Sequence, residues 1–203
     1  MDFFEAPVPD DDSFEDHTPP PWVEPPRDVV AALIPDRRVL ARSHAVAVLL
    51  SHIDVYPTGC QIRVRVVAVR PADMGEDDWW DLNDVLFDHR RRHRPRADGA
   101  LPDEVPRFGV QFADGSKATT TARIHHPGRE EPDGPVLVGH GGGGGGGGHL
   151  AMNQPLWLWP LPPAEPFDLV LEWPALGIEL TRVEIDGADI RDAAEQVEPL
   201  FET

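Results

Sequence analysis

Cysteine is nearly absent from this 203-residue chain. Cys60 stands alone, so no intramolecular disulfide can form, and a lone thiol fits a reducing compartment better than secretion. Lysine is equally scarce: Lys117 is the only one, and arginine supplies the other positive charges. With many Ala, Gly and Pro, this composition points to a G+C-rich genome. No apolar run approaches the roughly 20 residues of a membrane span, and the opening Met-Asp-Phe-Phe-Glu has no basic leader segment. These absences favour a soluble, cytoplasmic protein with no membrane partner. Catalytic signatures are missing too: there is no Gly-x-Ser-x-Gly elbow, no His-Glu-x-x-His, and no carboxylate pair set apart by its spacing. No cofactor is expected.

What is present is acid. The formal net charge of −18 repels phosphate backbones over most of the surface and argues against nucleic acid as a partner. Residues 1–28 carry nine acids against one base, Arg27, together with seven prolines. This segment has too little apolar content to offset the entropy of ordering it, and is expected to be a disordered acidic tail. Phe3, Phe4, Phe14 and Trp22 lie among its carboxylates, a pattern that keeps a linear motif soluble until a partner's groove buries the rings.

Residues 29–203 read as a single β-rich domain. Ala45 to Tyr56 and Gln61 to Arg70 flank Pro57-Thr58-Gly59 as an antiparallel hairpin. Phe108, Val110 and Phe112 alternate toward an Asp114-Gly115 turn, with Lys117 to Ile124 as the return strand. Phe167, Leu169, Leu171 and Trp173 share one face of a later strand. Ile178 to Ile185 changes register between Leu180 and Val183, which predicts a bulge. Short strands with few helices indicate a mainly β fold, an antiparallel sandwich or alternatively a barrel. Trp79, Leu82, Val85 and Leu86 place a helix over Glu76 to about His89, within an insertion near 76–92. Asp189 to Phe201 forms a second helical pattern.

Several features are candidates for function. Eight glycines, Gly141 to Gly148, lie between His140 and His149. No Lys-Ser or Lys-Thr follows them, so they predict a flexible loop over 140–149 rather than a phosphate cradle. His125, His126, His140 and His149 are the metal-ligand candidates, although their spacing matches no helical pair. Arg90, Arg91 and Arg92 begin an arginine cluster that suits an acidic partner or complements the preceding helix dipole; the acidic tail itself could dock there. Cys60, at the predicted turn, is a packed residue or a reactive thiol. His52, Asp54 and Tyr56 share a strand face. Trp157 and Trp159 share another, opposite Leu156 and Leu158, and offer an aromatic platform or core packing. Trp79 adds a further aromatic surface.

Phe112-Ala113-Asp114-Gly115, the glycine run, Trp157-Leu158-Trp159-Pro160-Leu161-Pro162-Pro163 and Glu172-Trp173-Pro174-Ala175-Leu176-Gly177-Ile178 resemble a family of uncharacterised proteins from G+C-rich bacteria. The resemblance spans about residues 108–186 and implies a shared β-rich fold, with no activity or site residue attached. The functional expectation is therefore a non-enzymatic module that binds another protein. The alternative is a small-molecule or metal-dependent enzyme that uses the loop histidines.

Overall fold

Alternating apolar residues build the longest hairpin, β4 (Val46–Tyr56) and β5 (Gly59–Val69). Val46, Val48 and Leu50 point inward from β4, and so do Ile53 and Val55. An even-numbered set can hand over to an odd-numbered set because the pairing register shifts between Leu50 and His52. Without that extra residue the end of the strand would turn its apolar side to solvent. Cys60, Ile62, Val64, Val66 and Ala68 give β5 its buried face. The computed structural model describes residues 19–87, 101–122, 130–140, 142–146 and 148–201.

Around this hairpin grows an antiparallel sheet of seven strands. β2 (Ala32–Ile34) and β3 (Arg38–Arg42) pair in succession with the free edge of β4. β10 (His149–Trp159) pairs with β5, and β8 (Val136–Gly139) and β9 (Gly142–Gly146) pair with the far side of β10. A second antiparallel sheet runs in the order β12 (Ile178–Ile185), β11 (Phe167–Trp173), β6 (Arg107–Gln111), β7 (Lys117–Thr119). The inner faces of the two sheets share one apolar core. At one corner of this sandwich Ser43 Oγ donates to the Leu176 carbonyl at 2.6 Å and Arg38 to the Glu184 carbonyl at 2.8 Å. The described strands close no barrel. A short pair, β1 (Val29–Val30) with β13 (Glu198–Pro199), joins the two ends of the domain. In β12 the irregularity falls between Ile178 and Thr181, slightly earlier than the sequence pattern places it.

The glycine run departs from its expected form. Gly142–Gly146 is a strand, not a loop, and it continues the pairing of β8 in the same register: Gly139 lies opposite Leu156, and Gly142 opposite Asn153. The His140 amide bridges the gap by donating to the Pro155 carbonyl at 3.0 Å, while Pro155 has no N–H to return. β10 therefore acts as a template that overrides the low strand propensity of glycine. At Gly143 a Cβ would stand 2.5 Å from that of Met152, so this position of the ladder requires glycine.

The first helix is described as far as Phe87, and the second is shorter than expected. α1 (Glu76–Phe87) buries Trp79, Leu82 and Leu86 in the core. α2 (Gly187–Ala194) starts at Asp186, whose side chain accepts from the Ala188 amide at 2.8 Å. It ends seven residues before Phe201, because Pro199 excludes a helix through residues 195–199 and the chain turns to pair with β1 instead. Trp22, expected within the disordered tail, is packed: a turn at 20–23 sets it, only 8% exposed, against the large sheet.

Candidate functional site

Three chain segments meet at the end of the sandwich where β7 approaches β8. They are the β6–β7 turn (Phe112, Asp114, Ser116), residues 131–135 leading into β8, and residues 159–163 leaving β10. They enclose a groove of about 330 Å³. Its floor is apolar. Phe112 reaches it from the core, where its ring packs on Phe167 at 5.3 Å, and Trp159 reaches it from the outer face of the large sheet. Five of its residues, Pro132, Pro135, Pro160, Pro162 and Pro163, are prolines, which fix the walls and supply no amide donor.

The rim is acidic. Asp114, Glu131 and Asp133 are exposed, and no lysine or arginine lines the groove. Asp114 is oriented by Ser116, whose hydroxyl donates at 2.6 Å and whose amide donates at 2.8 Å to the same oxygen. The hydroxyl bond first, then the amide bond, holds this carboxyl below the usual aspartate range, so it stays anionic in mild acid. Carboxylates thus ring an apolar, proline-walled floor that carries no positive charge.

The sequence-predicted residues are placed as follows. Trp157 and Trp159 do share the outer face of β10, but Trp22 covers them. Its ring lies 5.9 Å from Trp159, edge to face, while Trp157 Nε1 donates to the Pro21 carbonyl at 3.0 Å. Trp157 is fully buried, and Tyr56 packs on its other side at 5.6 Å. Trp79 is 1% exposed inside the core, so its ring is closed to partners, whereas its neighbour Trp80 is exposed. Phe3, Phe4, Phe14, Arg90, Arg91, Arg92, His125 and His126 lie outside the described residues.

His140 Nε2 is 3.0 Å from the Val23 carbonyl, which ties β8 to the N-terminal turn. It lies opposite Pro155, whereas His149 starts β10 at the far end of the glycine hairpin, so the two imidazoles do not converge. Among the described residues no group of three His, Cys, Asp or Glu side chains is arranged to hold a metal ion. Cys60 is completely buried, and loss of hydration pushes its thiol up to about 12, which makes it a poor nucleophile at neutral pH. Asp54 is held between Arg63 Nε at 2.6 Å and His52 Nε2 at 3.4 Å. Burial first, then the Asp54 charge, raises the pKa of Tyr56 beside them, against a smaller opposing pull from Arg63. The Arg63–Asp54 bond ties β4 to β5.

Sequence reasoning missed the groove. Asp114, residues 131–135 and Pro160 are far apart in the chain; the pairing of β8 with β10 joins the second to the third, and the approach of β7 to β8 brings in the first. The one available signal was the density of proline and acid on both sides of the glycine run. No helix among the described residues is long and apolar enough to cross a membrane. No protein-family model, curated protein or solved structure matches the chain.

Proposed function

We propose that this protein is a protein-binding module whose groove takes an extended partner segment carrying arginine or lysine. The observation that carries the reading is the groove's acidic, proline-walled lining: five prolines and three carboxylates around a Phe–Trp floor, with no lysine or arginine among them. Guanidinium or ammonium groups complement such carboxylates and pack favourably on aromatic rings. Proline-fixed walls lower the ordering cost of binding an extended chain.

Calorimetric titration of the full chain with an arginine-rich decapeptide, its glutamate counterpart and spermidine tests this. The arginine peptide alone is expected to bind, and Glu131→Gln combined with Asp133→Asn is expected to weaken it about tenfold, or ~1.4 kcal/mol. Equal binding of the glutamate peptide, or no response to the two substitutions, overturns the reading. Spermidine binding as tightly as the peptide reassigns the groove to a small cation.

A further inference from the structure

The large sheet has a second surface that none of the described residues covers. Moving along β10 from Trp157 toward His149, outward-facing positions pass from tryptophan to small residues. At Ala151 the outer row reads Gly144, Ala151, Val67, Ala47, Arg42 across five paired strands. Val67 is 37% exposed, and a Cβ at Gly144 would meet nothing within 4 Å. Arg65 projects from the neighbouring row. Neither Arg42 nor Arg65 has a carboxylate partner among the described residues, although Arg63 and Arg38 on the same sheet do. The result is a flat apolar terrace flanked by unpaired arginines, in a chain whose net charge is −18.

We infer that residues 1–18 of the same chain occupy this terrace. The segment carries seven carboxylates (Asp2, Glu5, Asp10, Asp11, Asp12, Glu15, Asp16), no lysine or arginine, and the rings of Phe3, Phe4 and Phe14. It therefore offers charge to Arg42 and Arg65 and apolar surface to Val67 and Ala47. The other long stretches outside the described residues have the wrong sign: 88–100 holds five arginines and 123–129 holds two. The tether also fits. Residue 19 lies three positions from Trp22, which is fixed on the outer face of this sheet. Trp157 and Ala151 are six residues apart on β10, about 20 Å, while 18 residues reach as far as about 60 Å. Tethering keeps the segment at an effective concentration of order millimolar, so modest contacts suffice. The terrace differs from the acidic groove in position and charge, and this inference does not rest on the groove's function.

The test places a nitroxide at Ser13→Cys in the full chain; Cys60 is buried and does not react. Amide signals of Val67, Ala151 and Ala47 are expected to lose more than half their intensity and to recover when the nitroxide is reduced. Arg42→Glu with Arg65→Glu, both at exposed positions, is expected to abolish the loss. Unchanged intensities, or losses confined to the four-stranded sheet, overturn the inference. So does quenching that survives the double substitution. Quenching in a mixture of nitroxide-bearing chain and separately isotope-labelled chain without nitroxide assigns the terrace to a second copy's tail and overturns intramolecular docking.

Discussion

The outer face of the seven-stranded sheet is closed at one end and bare at the other, and both ends belong to the same strands. On β10, Trp157 and Trp159 face outward at the closed end and Ala151 at the open one, with the same alternation and the same partner strand, β5. The ends differ in what lies on top. Trp22, anchored through Pro21, converts the tryptophan end into a second small core, while the glycine–alanine end has no described cover. A sheet face is thus core or surface according to the size of its side chains and the presence of a lid, not according to strand pattern alone.

Substitutions at the two ends should separate most widely. Trp157→Ala removes a fully buried ring and its hydrogen bond, and is expected to cost about 4 kcal/mol. Val67→Ala on the terrace should stay within about 0.5 kcal/mol. Urea unfolding of both variants checks this, and similar losses would erase the distinction. The glycine strand sharpens the contrast within a single element. Gly143→Ala drives a Cβ against Met152 and the Ala151 carbonyl and should cost about 2 kcal/mol. One position on, Gly144→Ala meets open space and should stabilise by up to about 0.5 kcal/mol; thermal unfolding distinguishes the two.

Alkali gives the smallest contrast and compares the inner face with the outer. The Cys60 thiol keeps its proton to about 12 in the fold but ionises near 9.0 when unfolded. Its contribution is complete below that ordinary value and is lost as pH rises from 9 toward 12. Tyr56, also shifted upward, adds a loss that begins above its ordinary 10.0. Stability measured in urea should be flat from neutral pH to 9 with respect to both groups, then fall by less than about 1.4 kcal/mol by pH 10. Cys60→Ala should delay the onset to near pH 10. An unchanged onset would mean that the thiol is hydrated in the fold.

Much of the fold was legible because alternation reports directly on burial. The β4–β5 hairpin, the β6–β7 turn and the face-sharing of Trp157 with Trp159 follow from period-two patterns. The glycine strand did not, because glycine carries no side chain through which a periodicity can appear; only the partner strand reveals its state. Trp22 reads as part of a tail because its local composition is acidic and proline-rich, and its burial depends on Trp159, 137 positions away. The apolar spacing from Asp189 to Phe201 overextends the second helix, because spacing alone does not register that Pro199 excludes the last turns. The groove was illegible for the same reason as Trp22: its three walls are assembled by long-range pairing that no local window contains.

The uniform register from Val136 through Gly146 has a genetic consequence. A tract of repeated glycine codons is prone to gain or lose units when DNA is copied. Inserted within an ordinary strand, one extra residue would turn Leu137 outward and Val136 and Val138 inward. Here every glycine is equivalent to its neighbour, so an added residue can pass along the strand to the hairpin tip between Gly146 and His149, while Gly139 stays opposite Leu156. The domain can therefore tolerate drift in the copy number of this tract across generations without disturbing the tryptophans beside it.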